Sequence, residues 1–350
     1  MISHSRVDIT PQDVAAVSTV VASGALAQGE QVRLFEDAIA RRLGVSEGAA
    51  VQSGTAALHL ALLALAIGPG DEVILPSYVC VAPLNAILYT GATPILADIN
   101  PDTGNIAPED AARRITPRTK AIIAPHLFGH PADITTLCRL GIPVVEDLAQ
   151  AIGGSIHNQP LGSFGTLAIC SFYATKVMTT GEGGMIVSND PALLATIRDL
   201  RDYDEKELYR LRYNSKMTEM QAALGISQLQ RLNDTIRRRQ ERASLYTSRL
   251  QESPQITLPV NRTDNDTISY RYVIRLKDGN VDKFISAMQR QNIICRRPVF
   301  KPLHQLLAQT DYPETDTFYQ QAVSLPIYPS LTEAEQEQVI QAITNYWKTS

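Results

Sequence analysis

The chain carries a series of short apolar runs that do not alternate with polar residues: 72–76 (EVILP), 94–97, 121–124, 143–145, 168–170 and 185–188. Stretches of helical character separate them, at 84–89, 108–115 and 134–140. A strand with one wet face alternates, whereas a strand buried on both faces reads as continuous Val, Ile, Leu and Ala. Strands of the second kind, alternating with helices, imply an α/β fold with a mostly parallel sheet covered on both sides. Two amphipathic helices come first, at 11–23 and 30–43; in the second, Val32, Phe35, Ile39 and Leu43 fall on one face. Beyond about residue 230 the pattern changes. A long helix begins at 231–234 and carries Arg237, Arg238 and Arg239, which read as a solvated basic face. Residues 269–275 alternate like a half-exposed strand, and 281–291 and 333–347 are helical. The 350 residues therefore divide into a large domain, 1–230, and a smaller α/β domain, 231–350.

Open parallel sheets collect their ligands at the carboxyl ends of the strands. The residues just past each apolar run are thus the first to inspect. After 168–170 come Ser171-Phe172-Tyr173 and a single lysine, Lys176, before Gly181-Glu182-Gly183-Gly184 turns the chain back into the next run. An ammonium is disfavoured beside apolar walls, and a lysine so placed becomes a nucleophile able to form a Schiff base. Most lysines are simply solvated, so this segment alone leaves both readings open. The run at 143–145 ends in Glu146-Asp147. Strand neighbours point to opposite sides, so only Asp147 is expected at the rim, as a working carboxylate or as a cap for the next segment.

Ser53-Gly54-Thr55-Ala56 opens a strongly apolar helix. Its first-turn N–H groups lack partners and form a phosphate cradle, with the Thr55 hydroxyl as an added donor. An ordinary cap by Ser53 or Thr55 is the plain alternative. His126 and His130 are four apart, but Gly129 and Pro131 keep them off one helical face. They read as loop residues near the site, not as a zinc pair, and no metal is expected.

Thirty-two basic against 36 acidic residues leave a net charge of −4, no field for gathering nucleic acid or an anionic membrane. The longest apolar stretch, 56–67, is too short to cross a bilayer, and the first ten residues lack the basic-then-apolar order of a secretory signal. Cys80, Cys138, Cys170 and Cys295 form no C-x-x-C pair, which argues against a disulfide framework and suits a cytoplasmic setting.

A resemblance can now be named. SGTAALHLAL at 53–62, PGDEVILPS at 69–77, GATPILAD at 91–98, EDLAQAIGG at 146–154, SFYATKVMTTGEGGMIVSND at 171–190, RYNSKMTEMQAALGISQL at 212–229 and LPIYPSLTE at 325–333 occur in order. Together they resemble the DegT-type sugar aminotransferases, pyridoxal 5'-phosphate enzymes of the aspartate-aminotransferase fold (fold type I), over nearly the whole chain. The resemblance implies that Lys176 forms the internal Schiff base with the cofactor and later moves the proton. It implies that Asp147 binds the pyridine nitrogen and keeps it protonated, so that the ring can accept electrons. Ala149 then matches the small residue behind the ring and Gln150 the partner of its phenolic oxygen. Gly54, Thr55 and Ser171 match phosphate ligands, and Asn214 an asparagine that reaches the phosphate of the neighbouring subunit of a homodimer.

Two departures stand out. Val79-Cys80 occupies the place where the family has Thr-aromatic, so Cys80 faces the cofactor where a ring normally stacks. Tyr78 or another aromatic is a possible substitute. The family's Asn-Tyr-Arg reads Asn214-Ser215-Lys216, a point charge in place of a planar fork. The expected activity is transfer of an amino group from glutamate or glutamine to a keto-sugar, nucleotide-linked as the family implies. A cyclitol ketone as acceptor, or a non-catalytic binding homologue, is the alternative.

Overall fold

The computed structural model describes residues 1–260 and 265–348. Its central sheet has seven strands: β1 Glu47–Val51, β2 Glu72–Pro76, β3 Thr93–Ala97, β4 Thr119–Pro125, β5 Val144–Asp147, β6 Leu167–Ser171 and β7 Gly184–Ser188. They lie in the order β1-β7-β6-β5-β4-β2-β3. Strand β7 alone runs against the rest, antiparallel to β1 and β6. The glycine turn after Lys176 makes that reversal; Gly181 sits at φ +80°, where an L side chain would be strained.

The missing alternation has a direct cause, because successive strand residues enter different cores. Val73, Leu75 and Ile169 pack with helices α3 Gly54–Ala64 and α4 Val81–Thr90 on one face. On the other, Ile74 packs with Ile122 and Val144, while Ala168 and Cys170 meet Phe35 and Ile39 of α2 Glu30–Leu43. Helices α1 Pro11–Ser23 and α2 both pack on the helix Glu219–Gln230.

The first turn of α2 shows a device that local pattern does not reveal. Its N-cap, Gly29, has no side chain to offer. The buried carboxylate of Glu219 instead accepts the N–H groups of Gly29 (2.9 Å), Gln31 (2.8 Å) and Val32 (2.9 Å). A Cβ on Gly29 would stand 3.3 Å from that carboxylate, so glycine also makes room for it. Glu219→Ala leaves three N–H groups unpaired at a positive helix end and should cost about 2–3 kcal/mol, since bonds to a charged acceptor are the stronger kind. Urea unfolding should show a lower midpoint with an unchanged slope.

A second, antiparallel sheet orders β8 Ile256–Thr257, β9 Tyr272–Leu276 and β10 Ala322–Leu325, under the helices Leu232–Leu250, Val281–Arg290 and Glu333–Lys348. Strand β9 is less exposed than its alternation suggested. Ile274 enters this second core, while Val273 joins the core of the large sheet, so both its faces are covered. Residues from the start of the chain also join here: Ile2 donates to Asn292 O (2.8 Å) and accepts from Ile294 N (3.0 Å).

The basic run 237–239 is not one solvated face. Arg237 and Arg238 are exposed and pair with Asp234 and Glu241. The helix turns about 100° per residue, which carries Arg239 inward. It is 4 % exposed and donates to the carbonyls of Tyr270 (3.1 Å) and Ile327 (3.3 Å).

Candidate active site

The sequence-selected residues meet at the carboxyl edge of the central sheet. Asp147 ends β5, opposite Ile169 of β6, and Ser171 ends β6. Helix α3 starts beside them. Its cap is Ser53, whose hydroxyl accepts Ala56 N–H at 3.1 Å, so the ordinary capping role falls to Ser53 and the Thr55 side chain is left for other work. A Cβ on Gly54 would lie 2.8 Å from the Ser171 Cβ. Only glycine lets the helix start approach Ser171 so closely, and the two form a cradle that a side chain would fill.

Lys176 stands in a strapped turn. Its N–H bonds Tyr173 O, while Thr180 N–H and the Thr179 hydroxyl return to Phe172 O. Among the described residues no carboxylate pairs with its ammonium, which lies 5.6 Å from the centre of the Tyr270 ring. Asp147 is buried and accepts one N–H, from Ala149 (2.8 Å). Burial pushes its carboxyl above the usual range; Ala149, Lys176 and His126 pull the other way without overcoming it. Cys80 caps the start of α4 and has solvent-open surface. The walls around its sulfur and the Asp147 charge nevertheless push the thiol up, against the pull of the Lys176 ammonium. Lys176, Asp147 and Cys80 thus share one electrostatic neighbourhood, and the thiol is kept out of its reactive ionised form.

Gln150 accepts the Phe128 N–H at 2.8 Å, which fixes its side chain and leaves the amide NH₂ to donate. Phe128 adopts φ +63°, and Gly129 at +87° lets residues 268–271 cross closely: Ile268 N–H bonds Gly129 O and Arg271 N–H bonds Phe128 O. This strained corner ties Gln150 to the Tyr270–Arg271 segment. Ala149, between Asp147 and Gln150, is partly exposed.

Tyr78 is no substitute for the missing stacking aromatic. Its ring is fully buried, 5.1 Å from Phe318 and 6.4 Å from Phe128, and so committed to the core. Glu146 faces away from the rim, as strand geometry demands. It accepts N–H groups from Gly162, Phe164 and Gly165 and bonds His126 Nε2 at 3.1 Å. His126 is therefore a buried structural residue; its Nδ1 accepts Ala132 N–H, so Nε2 carries the hydrogen. Asn214 is exposed and lines a cavity of about 510 Å³ with Ser53, Thr55, His59 and Tyr213. Lys216 is held by Asp202 at 2.8 Å.

Sequence reasoning passed over Tyr270. The buried ring has Lys176 Nζ at 5.6 Å, Arg271 Cζ at 5.4 Å and Arg239 Cζ at 5.8 Å from its centre. Burial would raise its phenol, but Lys176 and Arg271, a hydrogen bond with Thr175, and Arg239 together hold it below its ordinary value. The one local hint was the Tyr270-Arg271 pair just before β9.

The residues present fit pyridoxal phosphate: a glycine-lined helix start for the phosphate, a buried carboxylate whose side chain accepts a single N–H, and a lysine without an ion pair among the described residues. The sheet and helix arrangement is that of the fold type I pyridoxal-phosphate enzymes. A putative sugar aminotransferase from Streptococcus pneumoniae, in its PLP form, superposes with a TM-score of 0.93 at 25% identity over 99% of both chains. Sequence comparison goes further. The description of the DegT/DnrJ/EryC1/StrS aminotransferase family matches residues 7–344. The chain is 37% identical to GDP-perosamine synthase of Caulobacter vibrioides, over 88% of each. It is 34% identical to dTDP-4-dehydro-2,3,6-trideoxy-D-glucose 4-aminotransferase of Saccharopolyspora spinosa, over 96% of this chain and 94% of the relative. The chain belongs to the DegT/DnrJ/EryC1/StrS aminotransferase family and is a pyridoxal-phosphate-dependent sugar aminotransferase. The non-catalytic alternative is not favoured.

Proposed function

We propose that the enzyme moves an amino group from L-glutamate or L-glutamine to a nucleotide-linked keto-sugar in a site built around Lys176 and Asp147. The relatives named for GDP- and dTDP-linked sugars support the nucleotide carrier. The observation that carries the residue assignment is the buried, under-paired Asp147 in the field of Lys176, beside the Gly54–Ser171 cradle. When bound, pyridoxal phosphate supplies an electrophilic carbonyl and a ring that accepts electrons. The α3 N–H groups of the first turn, with Thr55 and Ser171, would hold its phosphate. Asp147 would bind the ring nitrogen and hold its proton. Gln150 would donate from its amide to the phenolic oxygen, and Ala149 and Cys80 would flank the ring. Lys176 would hold the cofactor through its Nζ and move the proton at the donor α-carbon.

The working unit in this reading is a homodimer, with Asn214 of each chain serving the phosphate site of the other. Exposed apolar side chains just before Asn214 (Tyr203, Leu208, Tyr209, Leu211) and on α4 (Leu88, Tyr89) support a covered face there. The domains are taken as 1–230 and 231–350, and the setting as cytoplasmic; among the described residues no helix is long and apolar enough to cross a membrane.

The test is the visible absorption spectrum of the purified protein, before and after L-glutamate. A yellow band that bleaches with glutamate and returns with a keto-sugar nucleotide is the expected result. A protein that cannot be loaded with pyridoxal phosphate would defeat the site assignment, with Cys80 the first suspect. A band that ignores glutamate but answers another amine would change the donor alone.

A further inference from the structure

The chain crossing over the Phe128–Gly129 corner places Tyr270 by its backbone. Ile268 N–H and Arg271 N–H bond the carbonyls of Gly129 and Phe128 (3.2 Å each), and Arg239 Nη1 donates to Tyr270 O at 3.1 Å. A Cβ on Gly129 would lie 2.9 Å from Tyr270 N, so the two backbones touch and the residue has no room to slide. The residue is 6 % exposed. Its ring is therefore a fixed wall, and Lys176 Nζ stands over it, 5.6 Å from the centre. With Thr175, His4, Arg239, Arg271 and Arg296, the same ring borders a cavity of about 520 Å³.

A positive charge on Nζ needs an offset in this place. Among the described residues it forms no ion pair, and Arg271 and Arg239 lie 5.4 and 5.8 Å from the centre of the same ring. The face of an aromatic ring attracts a cation and gains little from a neutral amine. That difference matches what Lys176 has to do. In amino transfer its Nζ lone pair takes the proton from the donor α-carbon, while the C–H electron pair stays with the carbon and spreads into the electron-accepting cofactor. A neutral amine thereby becomes an ammonium, and Lys176 is neutral again once it gives the proton up at the cofactor carbon. Whatever stabilises the ammonium lowers the barrier to the first of these transfers.

We propose that Tyr270 is a positioning residue for that step: its ring face holds the Lys176 ammonium as it forms. The proposal rests on the aminotransfer reading above. Burial acts on the Tyr270 phenol first, and Lys176 comes first among the charges that oppose it, ahead of Arg271 and Arg239. A hydrogen bond between the phenol and Thr175, the residue before Lys176, ties the ring to the lysine turn itself. The side chain of Lys176 is long and free to turn, so a fixed ring beside it also limits where Nζ waits.

The experiment compares the wild type with Tyr270→Phe, with a ring-fluorinated phenylalanine at the same position, and with Tyr270→Leu. Fluorine keeps the shape of the ring and withdraws the electron density that attracts a cation. Two readouts are taken on each. In the cofactor-free protein, acetylation of Lys176 at a fixed pH consumes the neutral amine. It should quicken about fivefold in the fluorinated and leucine variants, because the unreactive ammonium has lost its support. In the loaded enzyme, bleaching by L-glutamate should slow about fivefold or more in the same two variants. The isotope effect of α-deuterated glutamate should grow there, since the proton step becomes the slower one. Phenylalanine should follow the wild type within about twofold in both readouts. A loosened fold does not move the two readouts in opposite directions, and the fluorinated ring carries the test where leucine fails to fold. A fluorinated ring that behaves like phenylalanine overturns the proposal. So does a leucine variant slowed in both readouts with an unchanged isotope effect, which leaves Tyr270 a structural residue. Acetylation that responds as expected, in a protein whose band answers no amine, keeps the hold of Tyr270 on Lys176 and loses the aminotransfer reading.

Discussion

Lys176→Ala is expected to lower kcat/KM for amino transfer by about 10⁴-fold or more, roughly 5 kcal/mol of transition-state stabilisation. Two roles vanish together, the covalent anchor and the group that moves the proton, and neither neighbour can stand in. Tyr270 presents its ring to the ammonium, and Asp147 is occupied at its own end of the site. Stability should scarcely change, because the side chain is only partly buried and forms no ion pair among the described residues; losing its contact with Tyr270 is worth about 0.5–1 kcal/mol. Lys176→Arg should not restore activity, since a guanidinium keeps its proton at working pH. Steady-state kinetics beside thermal melts separate the two effects. Full activity in the alanine variant would show that Lys176 is neither the anchor nor the group that moves the proton.

Asp147→Asn should move activity and stability in opposite directions. The amide can still accept the Ala149 N–H, so local geometry is preserved. It cannot hold a proton on a ring nitrogen by charge, and a loss of about 10²–10³-fold in kcat is expected, the usual effect of deleting one electrostatic partner from a water-poor site. The cofactor-free protein should become more stable. Burial raises the Asp147 pKa on folding, so the native state holds a proton that the unfolded chain releases. Stability must then fall as pH rises from the ordinary carboxylate range through the raised value, and the loss is complete above it. Asparagine removes that penalty and flattens this part of the profile. Urea unfolding of both cofactor-free proteins between pH 4 and pH 8 (about the range over which a raised carboxyl titrates) checks it. An asparagine variant less stable at neutral pH would show that Asp147 is held as a paired carboxylate even without cofactor.

The part of the site readable in advance lies on single local segments. Lys176 and its glycine turn, Asp147 after Val144-Val145-Glu146, and the Ser53–Ala56 helix start each combine an apolar run with the residues beside it. Such signals survive in sequence because strand burial and helix starts are local events. The basic run at 237–239 failed as a local signal: a single residue step on the helix, about 100°, separates two solvated arginines from a buried one, and the tertiary neighbour decides which is which. Strand β9 failed likewise, since its second face is covered by a core formed mainly on another sheet. The loss of Tyr78 as a stacking candidate has the same origin, with Phe128 and Phe318 claiming its ring.

Sequence by itself determined the mostly parallel α/β sheet, and the lysine, carboxylate and helix start that meet at its carboxyl edge. Periodicity and chain reversal are short-range properties, written within a few residues of where they act. Only the tertiary structure decided that Glu219 caps a helix nearly two hundred residues away, and that His4, Arg239, Arg271 and Arg296 line one cavity. Those groupings depend on how separate elements pack. Because charge and hydrogen-bond partners act through space, no local pattern carries them.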